Sequence, residues 1–374
     1  MTRILTGAAI FDGTHLHQGQ ALVIDGGRVA AMTDTPPRGE VEHLDGGILA
    51  PGLIDLQVNG GGGLMVDGAT DVEVLRRICA AHLRLGATGV LPTLITDTPQ
   101  ATARVIAAGI EAARQGVPGF LGLHLEGPHL DPRRKGAHDP ALIRPMTDAD
   151  LSVLVAAARA LPTLMVTLAP CSATVERIAA LAAAGTVVSL GHADCTHAEA
   201  QAAIAAGAGC ATHLFNAMSQ LGHREPGLVG AVLEGDLPSG LIADGIHVSD
   251  TAMKIALAAK PAGLFLVTDV MLFAGTDLTE FRLHGRRVLR HDGRLTLEDG
   301  TLAGADLTLP QAIAHVAGLG LPVGRALAMA TSVPAAAIWR QAELGHLLPG
   351  RRADMVHLGD DFSLRQVWSG GIRL

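Results

Sequence analysis

The middle of the chain alternates apolar, β-branched runs with alanine-rich segments of helical character. Near-continuous apolar runs are typical of parallel strands that are covered on both faces. Eight runs are strand candidates, at residues 52–59, 88–96, 120–126, 163–169, 185–191, 210–216, 241–247 and 264–269. Helical segments lie between them, for example at 71–85, 98–114, 174–184 and 196–206. Eight strands alternating with helices predict an α/β fold, a TIM (β/α)8 barrel, with an open doubly wound sheet as the alternative.

The two ends of the chain show a different pattern of short strands and turns. Near the N-terminus, apolar runs on either side of Asp25, Gly26 and Gly27 predict a hairpin. The C-terminal segment has two or three short strands with a turn near Gly359. Because neither end has enough strands for a stable sheet, we expect them to share one small β-sandwich domain. This predicts a β domain of residues 1–50 plus 346–374 and a barrel of residues 51–345.

Polar residues are concentrated at the C-terminal ends of the predicted barrel strands. They are Gln57, Asn59, Glu126, His192, His213, Asn216, His247 and Asp269. A polar residue at the end of one strand is usually only a terminator. In a barrel, however, these strand ends converge on the face that carries the active site. The pattern therefore predicts one functional site.

Three of these residues have the chemistry of a divalent metal site. Imidazole and carboxylate suit zinc, and also Fe(II), Co or Mn. His192 and His213 are 21 residues apart, one strand–helix unit of a barrel, which would place them on adjacent strands beside Glu126. Three protein ligands leave an open position for water, as in catalytic sites. The alternative for each histidine alone is a hydrogen-bonded core residue, but the three together favour one metal ion per subunit.

Three further polar residues are candidates for roles around the metal. Asp269 could take a proton from a metal-activated water and return it to a leaving group, or it could only cap a helix. His138 could donate a hydrogen bond to a developing oxyanion, although a loop histidine is exposed by default. Arg224 suits phosphate or carboxylate recognition, and its alternative is a solvated surface side chain.

Composition excludes several other classes of protein. The 374 residues carry a net charge of −8, and there are 7 Phe, 2 Trp and no Tyr. A basic nucleic-acid surface and base-stacking platforms are therefore not expected. The four cysteines lie far apart, as in reduced cytoplasmic proteins. We expect no signal peptide, and no apolar run is long enough for a membrane span.

Ten segments of the sequence resemble those of the N-acetylglucosamine-6-phosphate deacetylase family in the amidohydrolase superfamily. They follow the family order through the whole chain, whereas "PGLID" and "PGRRAD" alone mark only the superfamily. The segments are "PGLIDLQVNG" (51–60), "GLHLEGP" (122–128), "KGAH" (135–138), "GHADCTH" (191–197), "THLFNAM" (212–218), "REPGLVGA" (224–231), "ADGIHV" (243–248), "LVTD" (266–269), "LAGA" (302–305) and "LPGRRADMV" (348–356).

The resemblance implies a metal-dependent hydrolase that removes acetate from an N-acetylated amino-sugar 6-phosphate. It implies metal ligation by Glu126, His192 and His213, with Asp269 as general acid/base and His138 polarising the acetyl carbonyl. The substrate-binding residues that it implies are Ala137, His138, Asn216, Ala217, Arg224, His247, Leu302, Ala303 and Gly304. In the family, the arginine at the position of Arg224 reaches the partner's site, so a homodimer is implied. Alternatives are another N-acyl substrate, such as N-acetylgalactosamine 6-phosphate, and a catalytically silent sugar-phosphate sensor.

The sequence departs from the wider superfamily at two positions. The usual His-x-His after the first barrel strand is Gln57-Val58-Asn59, and the fourth strand ends in "TLAP" without a lysine that could bridge two ions. Both departures favour one metal ion rather than two. His129 stands where the family pattern leads us to expect an aromatic residue. We interpret it as a wall of the pocket, with a further metal or substrate contact as the alternative.

Overall fold

The first fifty residues form short strands joined by turns. A computed structural model describes residues 2–283 and 285–374. The strands are β1 (Arg3–Thr6), β2 (Ala9–Phe11), β3 (Leu16–His17), β4 (Ala21–Asp25), β5 (Arg28–Thr33), β6 (Glu40–His43) and β7 (Ile48–Pro51). Strands β4 and β5 pair antiparallel, with Asp25 opposite Arg28, so the predicted hairpin is confirmed.

The middle of the chain forms the predicted barrel. Eight strands pair in parallel and in chain order. They are β8 (Leu53–Val58), β11 (Ala87–Ile95), β12 (Leu123–Glu126), β13 (Leu164–Leu168), β14 (Val187–Leu190), β15 (Cys210–Ala211), β16 (Ser239–Leu241) and β17 (Leu264–Leu266). A small hairpin of β9 (Gly60–Gly61) and β10 (Leu64–Met65) follows β8. Just after β17, Val270 forms a parallel bridge with Val58, which brings the last strand back to the first. The predicted TIM barrel is confirmed.

Helices cover the outside of the barrel strands. Most of the predicted helical segments begin with a side-chain cap, and α5 has the capping box of Thr196 and Glu199 that the sequence indicates. No helix in the described ranges is both long and apolar enough to cross a membrane. The helices are α1 (Val72–Arg84), α2 (Pro99–Arg114), α3 (Asp148–Ala160), α4 (Val175–Ala183), α5 (His197–Ala205), α6 (Gly227–Glu234), α7 (Asp250–Ala259), α8 (Leu309–Gly318), α9 (Val323–Ala328) and α10 (Ser332–Ala337), with a 3₁₀ turn at Pro132–Arg134.

Three predicted barrel strands, 210–216, 241–247 and 264–269, extend several residues beyond the C-terminal ends of the observed strands. Strand β15 ends at Ala211, β16 at Leu241 and β17 at Leu266. After β15 the backbone turns left-handed at His213 (φ 29°). After β16 the Asp244 carboxylate accepts hydrogen bonds from two following backbone N–H groups and closes a turn. Apolar residues continue in the sequence beyond the last paired residue of each strand, so the apolar run does not mark where the strand ends.

An antiparallel sheet between β17 and α8 was not predicted from the sequence. It consists of β18 (Glu280–Leu283), β19 (Arg286–His291), β20 (Arg294–Leu297) and β21 (Leu302–Ala305). Its buried side chains pack with Met271, Leu272 and Phe273, directly after the last barrel strand. The Arg286 guanidinium donates to the carbonyl of Ala137. This sheet therefore lies against the C-terminal end of the barrel, where the predicted site residues are.

The last strands of the chain pair with the first ones. Strands β22 (Met355–Leu358), β23 (Leu364–Ser369) and β24 (Ile372–Arg373) extend a six-stranded sheet that contains β7, β2 and β3. A second sheet has the order β5-β4-β1-β6. Both sheets contribute to one apolar cluster that includes Leu5, Ile24 and Trp368. The division of the chain into residues 1–50 plus 346–374 and residues 51–345 stays a prediction.

Candidate metal centre and active site

Glu126, His192 and His213 converge inside the barrel mouth. Glu126 is the last residue of β12, while the two histidines follow β14 and β15 by two residues each. The Nε2 atoms of His192 and His213 lie 3.2 and 3.1 Å from Glu126 Oε1. The two Nε2 atoms are 3.1 Å apart. All three side chains are buried, and together they form a group that could hold one metal ion.

The spacing of these three atoms fits a divalent ion. A tetrahedral ion with ligand bonds of about 2.0–2.1 Å separates its ligand atoms by about 3.3 Å. The observed separations are 3.1–3.2 Å. Two imidazole nitrogens and one carboxylate oxygen form a donor set that zinc accepts readily, as do Fe(II), Co and Mn. The residues therefore fit the metal that the sequence predicts.

The backbone at this site is held in an uncommon conformation. His192 (φ 46°), His213 (φ 29°) and Asp269 (φ 50°) all have left-handed backbone. Non-glycine residues in this region each cost on the order of 1–3 kcal/mol and cluster at functional sites. Hydrogen bonds from the chain hold these turns, since Asp269 N donates to Gln57 O and Asp131 N donates to His192 O. The surrounding fold therefore fixes the directions of the side chains.

Hydrogen bonding determines which nitrogen of His192 is free for a metal. Its Nδ1 lies 2.8 Å from the carbonyl of Arg134. A carbonyl only accepts, so Nδ1 carries the proton and Nε2 presents its lone pair toward Glu126 and His213. An ion pair between Arg134 and Asp194 anchors this loop. His213 lacks such a support, because its buried Nδ1 has no hydrogen-bond partner in residues 2–283 and 285–374.

The ligand candidates also shift one another's pKa values. Burial alone would raise the pKa of Glu126, but the neighbouring His192 and His213 rings hold it well below its usual range. Burial alone would lower the pKa of His213, but the neighbouring Glu126 carboxylate raises it instead. Glu126 is therefore an anion in the folded protein, as a metal ligand must be.

Asp269 lies beside this cluster and is held by two amide side chains. Gln57 Nε2 is 3.1 Å from both Glu126 Oε1 and Asp269 Oδ1, so one amide group connects the two carboxylates. Asn59 Nδ2 donates to the same Asp269 oxygen at 2.7 Å. Burial, followed by the charge of Glu126, raises the pKa of Asp269. Asp269 is thus a restrained carboxylate that takes up a proton more readily than an exposed one.

His138 lies in the same site with its ring orientation fixed. The backbone N–H of Thr96 donates to His138 Nδ1 at 3.2 Å. Because Nδ1 accepts, the proton of the neutral ring is on Nε2. That Nε2 is 3.9 Å from Glu126 Oε2. His138 therefore presents an N–H donor next to the ligand cluster, as stabilisation of an oxyanion requires.

A cavity of about 160 Å³ brings most of the predicted site residues together. Its lining contains the three ligand candidates, Asp269 and His138, with Asn59 and several residues predicted to bind substrate. The latter are Ala137, Asn216, Ala217, His247, Leu302 and Gly304. Ala303, which was also predicted to bind substrate, is fully buried and does not line the cavity. Arg224 lies exposed on a surface loop. His129 is buried, with Nδ1 3.1 Å from the carbonyl of Arg144.

Four residues around Asp269 and His138 were not assigned a role from the sequence. Gln57 and Asn59 were considered only as strand-end residues that replace the superfamily's two histidines, whereas Asp55 and Thr96 were not considered. Asp55 is fully buried, and Thr268 Oγ1 donates to its Oδ2 at 2.5 Å, directly before Asp269. The sequence carries a signal for them, because Asp55 and Gln57 in β8 and Asn59 directly after it alternate with apolar residues. Strand residues two apart share one face, so the pattern places all three toward the barrel interior.

The arrangement defines a class of protein. A (β/α)8 barrel that carries a metal-ligand set and a restrained carboxylate at the C-terminal ends of its strands has the architecture of a metal-dependent hydrolase. The family model described as "Amidohydrolase family" matches residues 48–373. The chain therefore belongs to the amidohydrolase family.

Similar proteins cover nearly the whole chain. An N-acetylgalactosamine-6-phosphate deacetylase of Shewanella sp. is 38% identical over 379 residues, covering 98% of this chain and 95% of its own. An N-acetylglucosamine-6-phosphate deacetylase of Haemophilus influenzae is 34% identical, covering 90% of this chain and 89% of its own. The crystal structure of N-acetylglucosamine-6-phosphate deacetylase from Pasteurella multocida is 33% identical with a TM-score of 0.96, and both chains are covered completely. The resemblance seen in the sequence is thus confirmed.

Proposed function

We propose that the protein hydrolyses N-acetylglucosamine 6-phosphate to glucosamine 6-phosphate and acetate. The observation that carries this proposal is the juxtaposition of three ligand atoms, 3.1–3.2 Å apart, with the Asp269 carboxylate in one small cavity. The names of relatives and of a solved structure that cover nearly the whole chain support the substrate class.

Glu126, His192 and His213 would hold one divalent ion per subunit. Zinc is the proposed metal because a set of two imidazoles and one carboxylate is common at catalytic zinc sites. Fe(II), Co and Mn also bind imidazole and carboxylate ligands and are the alternatives. When bound, the ion would act as a Lewis acid and lower the pKa of water at the site.

The reaction then depends on two other side chains. Asp269 takes a proton from the water that attacks the acetyl carbonyl carbon. The Nε2–H of His138 donates a hydrogen bond to the carbonyl oxygen as negative charge develops on it. Asp269 next gives the proton to the sugar nitrogen, the C–N bond breaks, and acetate and the free amine result. The raised pKa of Asp269 suits both halves of this transfer.

The phosphate group would act as a handle remote from the reacting carbon. His247 and Asn216 line the cavity. The Nδ1 of His247 lies 2.6 Å from Asp244 Oδ2, so this carboxylate fixes the orientation of the imidazole ring that would contact the phosphate. Binding energy at the phosphate can orient the acetamide for attack.

The exposed position of Arg224 supports a homodimer in which this side chain reaches the partner's phosphate site. Arginine suits such a contact because its guanidinium can make two parallel hydrogen bonds to phosphate. The scattered cysteines favour a cytoplasmic location for the enzyme, and the substrate is a small molecule rather than a nucleic acid.

N-acetylgalactosamine 6-phosphate is a second candidate substrate. The Shewanella relative, 38% identical, carries the name of the galactosamine enzyme. The two sugars differ only in the configuration at C4. A silent sugar-phosphate sensor is disfavoured because the ligand set, Asp269 and His138 are all present in one site.

The test is acetate release from both phosphorylated sugars by the purified protein. It is run beside unphosphorylated N-acetylglucosamine, after chelation and after addition of Zn, Fe(II), Co or Mn. We expect metal-dependent release confined to phosphorylated sugars, faster with the glucosamine compound. Faster release from the galactosamine compound would reassign the substrate, and no release with any metal would refute the proposal.

A further inference from the structure

The side-chain amide of Asn59 uses its nitrogen in a hydrogen bond, whereas its oxygen has no partner among the described residues. Its side chain is buried, with 2% of the residue exposed. Nδ2 donates to Asp269 Oδ1 at 2.7 Å. Oδ1 is buried and makes no hydrogen bond within the described part of the chain, although Asn59 lines the catalytic cavity. Buried amide oxygens are nearly always paired, so this atom points to a ligand.

Chemistry fixes which way the amide faces. Asp269 Oδ1 accepts a hydrogen bond from Gln57 Nε2, so the amide nitrogen of Asn59 is the atom nearer to this oxygen. Exchanging the two amide atoms would set two oxygens against each other at 2.7 Å. The atom left over is therefore an acceptor, and the missing partner must be a donor.

The contacts of Asn59 narrow the choice of donor. Gln57 donates to both Glu126 and Asp269, whereas Asn59, which directly follows β8, donates to Asp269 and makes no hydrogen bond to Glu126 within the described part of the chain. Asn59 is thus beside Asp269 but on the side away from Glu126. A donor there belongs to a substrate group that Asp269 reaches and that faces away from the ligand cluster.

We propose that Asn59 Oδ1 accepts the acetamide N–H of the substrate. This inference rests on the proposed function. In a trans secondary amide the C=O and N–H bonds point in opposite directions. When the carbonyl oxygen faces His138 and the ligand cluster, the N–H faces away from them, toward Asn59. The same nitrogen must come within reach of Asp269 to receive its proton.

With this contact to the substrate N–H, the Asn59 amide would position both the acid/base and the substrate nitrogen. Its Nδ2 orients the carboxylate, and its Oδ1 orients the nitrogen that the carboxylate protonates. A restrained nitrogen can direct its developing lone pair toward Asp269 as the carbonyl carbon becomes tetrahedral. Asn59 therefore favours an amide substrate over an ester, which has no N–H to donate.

The test compares an amide with an ester of the same acid. The substrates are N-acetylglucosamine 6-phosphate and 2-O-acetylglucose 6-phosphate, and the variants are Asn59→Ala and Asn59→Ser. We expect the ratio of kcat/KM for amide over ester to fall about tenfold in both variants, the effect of losing about 1.4 kcal/mol. The two variants also guard against a folding defect in one of them, which circular dichroism would show.

Gln57→Leu is the matched control. Gln57 also donates to Asp269 Oδ1, so its loss disturbs the carboxylate and lowers both rates. The amide-to-ester ratio should stay within about twofold of that of the unaltered protein. An equal fall of the ratio in the Gln57 and Asn59 variants would mean that Asn59 acts only through Asp269, and it would overturn the inference.

Binding provides a readout that does not depend on turnover. Isothermal titration of the metal-free protein should show weaker binding of the N-acetyl sugar in Asn59→Ala, by about fivefold, with binding of the ester unchanged. An equal effect on both ligands would contradict the inference. If the unaltered protein with metal cleaves neither substrate, the proposed function fails, and the inference fails with it. If it cleaves both but the ratio is insensitive to Asn59, only the inference fails.

Discussion

Two layers of polar side chains lie inside the barrel, and they differ in how well their hydrogen bonds are satisfied. The lower layer consists of His124, Thr167, Ser189 and Thr212, and the upper layer of Glu126, His192, His213 and Asp269. All members of both layers are buried except the half-buried Asp269, and neighbouring strands contribute to both layers. Hydrogen bonds link all members of the lower layer, whereas the upper layer brings several lone pairs together around a common centre.

In the lower layer, each donor has an acceptor. His124 Nδ1 lies 3.0 Å from the Leu56 carbonyl, and Nε2 lies 2.7 Å from Thr167 Oγ1. The hydroxyl of Thr212 is 2.6 Å from both Thr167 and Ser189. Burial lowers the pKa of His124 to about 4, so its ring is neutral. The side chains of this layer satisfy one another's hydrogen bonds, so nothing in it points to a bound ligand.

In the upper layer, histidine is again present, but acceptor atoms converge on one another. Two histidine Nε2 atoms and a carboxylate oxygen meet within 3.2 Å, and the amide oxygen of the neighbouring Asn59 is unpaired among the residues described. The comparison shows that buried histidine is not itself a sign of function. Converging lone pairs and unpaired atoms distinguish a binding site from a satisfied core.

The largest expected effect comes from removing a metal ligand. In Glu126→Ala the remaining imidazoles lose the carboxylate that completes the donor set, so metal should be lost and turnover should fall at least ~10⁴-fold. Elemental analysis after desalting measures the metal, and acetate release measures turnover. A full metal complement in this variant would refute ligation by Glu126.

Asp269→Asn should separate metal binding from catalysis. The variant keeps the size of the side chain but cannot accept a proton, so turnover should fall about 10³-fold while metal content stays unchanged. Near-normal turnover would refute the role of Asp269 as acid and base. The drop should be similar for the glucosamine and galactosamine compounds, since both present the same acetamide.

Titration of the buried Asp55 carboxyl should make the free energy of unfolding depend on pH. Burial raises the pKa of this carboxyl to about 7. The protonated Asp55 favours the folded state. Its contribution to the free energy of unfolding is therefore fully present below the pKa of the unfolded chain, about 3.8, and is lost as the pH rises through the folded pKa of about 7. Asp55→Asn removes this titration, so the variant should gain on the order of 3 kcal/mol relative to the unaltered protein between about pH 4 and pH 7. Urea unfolding across this range measures the difference, and a constant difference would contradict the assignment.

The smallest effect on turnover is expected from the lower layer. His124→Leu leaves Thr167 and the Leu56 carbonyl without their partner, which should lower the free energy of unfolding by about 1–3 kcal/mol. Metal content and kcat should change less than about threefold, because His124 has no contact with the reacting groups. Denaturant unfolding and acetate release test both statements. Loss of metal in this variant would break the distinction between the two layers.

Strong local signals made the barrel and the ligand set predictable from sequence. The eight apolar runs indicated the strands, and polar residues at their ends indicated Glu126, His192 and His213. The sheet formed by residues 280–305 was not predicted, because its strands are short and rich in arginine and contain no continuous apolar run. Sequence spacing also says nothing about which atom of a side chain is unpaired, so the contacts of Asn59 required the structure.

Anomalous X-ray diffraction from crystals of the protein grown with zinc tests the central claim most directly. The account predicts one strong peak per chain at the zinc edge, about 2.0–2.2 Å from Glu126 Oε1, His192 Nε2 and His213 Nε2. No peak should lie within bonding distance of His124. A peak at the lower layer, or no peak in the barrel at all, would contradict the claim that the upper layer holds the metal.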